Sequence, residues 1–114
     1  MSTRPIALGY LRRDVSGVSQ VWDETQIRSL AKRFGYELAK TVTFGPDTAE
    51  RMAKLVAAVR RAAAEAVFVP NVEHFDGGRV PAELVRLCDV TTISPEYTHA
   101  RWAIPLGGPA PEPG

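Results

Sequence analysis

At 114 residues the chain falls in the single-domain range and is long enough to enclose one modest core. Its hydrophobic fraction of 45% and charged fraction of 24% exclude a disordered or fibrous polypeptide. A formal net charge of +1 argues against a stand-alone DNA binder, because phosphate neutralisation supplies much of such affinity and leaves a basic excess as its mark.

Ile6 to Leu11 is a nearly continuous apolar run, the pattern of a strand buried on both faces. Arg12 to Gln20, with Asp14, Ser16, Gly17 and Ser19, carries enough turn formers to predict a loop. Ile27, Leu30, Ala31 and Phe34 recur at helical spacing, with Asp23 placed as N-cap and Gly35 as the stop. Tyr36 to Phe44 alternates and is partly polar, which places it at a sheet edge.

Ala49 to Glu65 gives the strongest helix signal, a stripe of Met52, Leu55, Val56, Val59 and Ala63 with the charges mostly off it. Ala66 to Val69 predicts a second central strand, ended by Pro70, and Asn71 to Arg79 a loop containing Gly77 and Gly78. Pro81 opens a helix through Cys88, and the β-branched run from Val90 to Ile93 predicts a last strand closed by Pro95. After Trp102 the residues are almost all Pro and Gly, so residues 1–102 are expected to form the domain and 103–114 a disordered tail.

Strands alternating with helices predict a three-layer α/β fold: a mostly parallel, four-stranded sheet, order 2-1-3-4, with helices on both faces. The single Cys88 can form no internal disulfide and fits a reducing cytoplasm; beside Leu84, Val85 and Leu87 it reads as a buried small hydrophobe. No apolar run approaches the roughly 18–20 residues that span a bilayer, and no secretory leader is legible, so a cytoplasmic protein without membrane association is expected.

Ligands of such sheets gather past the carboxyl ends of the strands, which directs attention to Arg12–Gln20 and Asn71–Gly78. Ala7-Leu8-Gly9-Tyr10-Leu11-Arg12 resembles the opening of the serine recombinase (resolvase/invertase) catalytic domain, where a strand ends in Tyr-x-Arg-Val-Ser. Gln26, Ile27, Leu30, Ala31 and Gly35-Tyr36-Glu37-Leu38 are similar to that family's first helix and second strand. Glu50-Arg51 resembles its arginine-bearing helix start, and residues 67–78 occupy the place of its strand and Asp-Arg-Leu-x-Arg motif. The resemblance implies a resolvase-like fold from about Ile6 to about Pro95.

It also implies lost chemistry. In the family's register the nucleophilic serine falls on Asp14, the motif arginines on His74 and Gly77, and the motif aspartate on Glu73. A carboxylate at the attack position opposes an anionic phosphate, and each lost electrostatic stabiliser typically lowers the rate by about 10²–10³. A two-residue insertion would bring Ser16 to the nucleophile's place, since Val15-Ser16 repeats the family's Val-Ser pair, but the motif arginines stay missing. No counterpart of the family's long helix and helix-turn-helix domain is legible, so direct DNA binding by this chain alone is not expected.

The residues themselves leave alternatives open. Arg12, Arg13 and Arg51 read either as ligands for an anion at the strand ends or as solvated charges. Asp14, Ser16 and His74 could converge as a nucleophile–base set or be a chance polar trio. His74 and His99 have no ligand-like spacing around Cys88, so no metal or cofactor is expected. Trp22 and Trp102 read as packing aromatics rather than base-stacking platforms. The leading expectation is a catalytically inactive recombinase-like domain that binds a protein partner, another copy of itself included. The alternatives are a small anion or nucleotide sensor or enzyme using the strand-end cleft, and an accessory recombination protein of a mobile element.

Overall fold

The computed structural model of the chain describes residues 4–102. The expected tail at 103–114 lies outside the described residues. β1 (Ile6–Arg12) buries its five middle residues, and period two divides them between faces: Leu8 and Tyr10 join one core cluster, Ala7 and Leu11 the other. β3 (Ala66–Val69) is buried throughout and divides the same way, Val67 and Val69 against Ala66 and Phe68. β1 and β3 pair in parallel, and β3 continues to β4 (Asp89–Thr92), also parallel. β2 (Glu37–Phe44) pairs in parallel with β1 from Ile6 opposite Glu37 to Arg12 opposite Phe44, and its half-exposed pattern fits an edge.

The four parallel strands take the predicted order, but the sheet has five strands, in the order β2-β1-β3-β4-β5. Pro95 does not end the sheet. It sits in a turn with a cis Ser94–Pro95 peptide, and β5 (Tyr97–His99) returns antiparallel to β4. The Thr92 hydroxyl donates to the Pro95 carbonyl at 2.6 Å and the Thr91 and Thr98 hydroxyls meet at 2.9 Å, which holds so short a strand in register.

Helices cover both faces. On one, α2 (Gln20–Arg33) lays Ile27, Leu30 and Ala31 over Ala7, Leu11, Ala66 and Phe68. Gly9 makes this approach possible, since a Cβ there would stand 2.6 Å from Thr41 Oγ1 and 2.7 Å from Ile27 Cγ2. On the other face, α3 (Arg51–Ala62) and the single turn α4 (Ala82–Val85) bring Leu55, Ala58, Val59, Leu84 and Val85 onto the sheet.

Two helices are shorter than their patterns predict. α3 stops because Ala63 takes φ +53, its N–H returning to the Val59 and Arg60 carbonyls. α4 gives way before Cys88, whose buried Sγ faces the Leu84 carbonyl at 3.6 Å. Burial pushes the Cys88 thiol up to about 12.

Candidate functional site

β1 runs straight into α1 (Arg13–Ser16), a 3-10 turn (Gly17–Ser19) and then α2, so the loop predicted over Arg12–Gln20 is helical. The polar residues that suggested a loop hold it together. Ser16, buried, donates its hydroxyl to Asp23 Oδ2 at 2.7 Å. Asp23 lies inside α2 rather than capping it, so its carboxylate ties α1 to α2.

Arg12 leaves the end of β1 with its guanidinium forked onto Asp14, Nε to Oδ1 at 3.2 Å and Nη2 to Oδ2 at 2.7 Å. Its Nη1 reaches Asp76 Oδ1 at 3.3 Å. The same oxygen accepts from Arg51 Nη2 at 2.8 Å, while Arg51 Nη1 donates to the Pro46 and Thr48 carbonyls at 3.2 Å each. Arg13 packs its guanidinium over the chain after β2, where a Cβ on Gly45 would stand 2.5 Å from Nη2. The three arginines singled out from the sequence therefore come together at the carboxyl ends of β1 and β2.

The charges of Arg12 and Arg51 are answered from within. The Arg12 hydrogen bond holds the Asp14 carboxyl below the usual carboxylate range and raises Arg12 in turn. Asp76 bridges both guanidiniums, and the exposures are uneven: 16% for each arginine side chain against 76% for Asp76. Ion pairs as exposed as those of Asp76 typically contribute about 0–1 kcal/mol. Arg51 and Asp76 border a recess lined by Tyr10, Met52, Phe75 and Pro81, with Glu83 alongside. Tyr10 is stacked on Phe75 at 5.3 Å between centroids.

His74 is buried between these groups, its Nδ1 accepting the Arg12 backbone N–H at 2.9 Å and its carbonyl the Tyr10 hydroxyl at 3.1 Å. With Nδ1 as acceptor the neutral ring carries its hydrogen on Nε2, which has no partner among the described residues. Burial lowers the imidazole below its ordinary 6.5; Asp23 and Asp14 oppose that shift, and Arg12 reinforces it.

Of the two alternatives left open for Asp14, Ser16 and His74, the hydrogen bonds support the chance polar trio. Asp14 serves Arg12, Ser16 serves Asp23, and the His74 lone pair is taken by a backbone amide. Gly77 sits at φ +77, where an arginine would be strained, and Glu73 is exposed with its N–H capped by Asn71 Oδ1 at 3.0 Å. Asp76 was missed by sequence reasoning, since a lone aspartate beside two glycines reads as turn chemistry.

Trp22 is also corrected. Trp102 packs partly buried against the core beneath Arg86, but Trp22 is 65% exposed, beside Val21 at 75% and a fully exposed Val18. Helical phase carried the signal, since Val21 and Trp22 fall roughly 120–140° around α2 from Ile27 at 3.6 residues per turn. α2 has no buried residue before Ile27, and Val21 and Trp22 there leave their apolar side chains in solvent.

Among the described residues no group of three or more His, Cys, Asp or Glu is placed to hold a metal ion, and no helix is long and apolar enough to cross a membrane. No protein-family model matches the chain, and no curated protein sequence matches it.

Proposed function

We propose that this domain is a catalytically silent, serine-recombinase-like module that works by binding a protein partner. The observation that carries the reading is the pairing of Arg12 and Arg51 with Asp14 and Asp76. A phosphodiester approaching Arg12 or Arg51 meets guanidiniums that already pair with carboxylates, and those carboxylates repel it. Ser16 fits the same reading, because its hydroxyl is buried and already donates to Asp23. The exposed Val18 in the 3-10 turn and Val21 and Trp22 at the start of α2 support a partner rather than a substrate, since exposed apolar side chains close together in the chain are a common mark of an interface.

Incubation with supercoiled plasmid, followed by denaturing electrophoresis, tests this. Neither the chain nor its Ser16→Ala variant is expected to nick DNA or to carry a covalent DNA adduct. Nicking that disappears in Ser16→Ala would overturn the reading.

A second reading, a sensor for a small anion or nucleotide, draws support from the gathering of Arg12, Arg13 and Arg51 at one strand end. Titration with nucleotides and inorganic phosphate, followed by amide shifts, separates the two. Movement of residues 12–20 and 71–78 would favour the sensor, and silence there would dismiss it.

A further inference from the structure

We infer that Arg12 and Arg51 form a carboxylate-binding site that Asp76 fills in the free chain, and that its ligand is a partner segment bearing one carboxylate beside an apolar side chain. The inference deepens the partner-binding reading and rests on it. Three observations carry it.

The cations are fixed and the anion is not. Arg51 is tied to the Pro46 and Thr48 carbonyls, and Arg12 is forked onto Asp14, so neither guanidinium depends on Asp76 for its position. Asp76, at 76% exposure, needs only a side-chain rotation to leave, a fast motion for an exposed residue. The occupant is itself a carboxylate, so the chemistry accepted by the two guanidiniums is on display, with one oxygen shared between Nη1 of Arg12 and Nη2 of Arg51. Finally, the recess beside Arg51 has accessible apolar walls in the half-buried Met52 and Pro81, with the buried Tyr10 and Phe75 also lining it. It suits an apolar neighbour of the incoming carboxylate, whereas Glu83 on its border disfavours a second acid.

An internal occupant lowers apparent affinity by the fraction of time that it holds the site. Removing it therefore tightens binding, which no purely structural role for Asp76 would do. The probe is the blocked peptide acetyl-Leu-Phe-Asp-Leu-amide, with its Asn counterpart as control, titrated into the whole chain while amide shifts at Arg12, Arg51 and Phe75 are followed.

Asp76→Asn is expected to bind the Asp peptide roughly 10-fold more tightly than the unchanged chain, corresponding to an Asp76 that holds the site about nine-tenths of the time. Adding Arg51→Gln should abolish the gain, and the Asn peptide should show none. Equal affinity for the two peptides, or no gain from Asp76→Asn, would overturn the site. So would tighter binding of inorganic phosphate or a duplex oligonucleotide than of the peptide by Asp76→Asn. Loss of this site leaves the silent-module reading in place, and Ser16-dependent nicking would remove that reading whatever the peptides do.

Discussion

Arg12 joins three elements with one residue: its amide to His74, its guanidinium to Asp14 on α1 and to Asp76 in the segment after β3. His74 can take its part only as a neutral ring, because protonated Nδ1 would face the Arg12 N–H donor to donor. Its folded-state value lies below the ordinary 6.5, so the unfolded chain takes up the proton first as pH falls. The stability contributed by neutral His74 is therefore complete above about pH 6.5 and declines below it. Urea midpoints should fall between about pH 7.5 and about pH 5.5, and His74→Gln should flatten that dependence. His99 is shifted the same way by burial, so His99→Gln measures the remainder. An undiminished slope in His74→Gln would show that the ring is not the titrating group. The sequence drew attention to position 74 only through the resemblance, as a place where that family's motif carries an arginine. Its actual role depends on a backbone amide 62 residues away, which no local pattern announces.

At the scale of elements, legibility followed the number of partners each element has. β1 and β3 were readable because strands covered on both faces write unbroken apolar runs, and α3 because its stripe meets a single flat face. β5 was not, since three residues with one neighbour carry almost no pattern and Pro95 pointed to an end. α1 was misread because Ser16 and Asp23 satisfy each other across two helices, a use of turn-forming residues that only the fold reveals. The packing of α2 on the sheet is sensitive at one point. Gly9→Ala puts a methyl against Thr41 and Ile27 at distances that ordinary contacts do not reach, so the helix or the edge strand must shift. The expected loss is about 1–3 kcal/mol, seen as a lower urea midpoint at unchanged slope. A neutral substitution would mean that α2 rides more loosely over β1 than its buried contacts imply.

For the whole molecule, the near-zero net charge visible in the composition has a local counterpart at the candidate site, where Asp14 and Asp76 pair with Arg12 and Arg51 at close range. The sequence located the three arginines but could not pair them, because Asp76 reaches Arg12 and Arg51 across the top of the sheet from 64 and 25 residues away. One further property belongs to the chain as a unit. Its lone thiol is enclosed in the core cluster with Leu84, Val85 and Val90 and is held protonated far above neutral pH. A chromogenic disulfide reagent can reach it only when the core as a whole comes apart. Labelling at mildly alkaline pH should thus be slow and accelerate with urea in step with the loss of helical signal. Rapid labelling without urea would place Cys88 in a locally opening segment. If labelling is slow, the molecule carries its own clock for cooperative opening, and dyes can be attached through new surface cysteines without first deleting the native one.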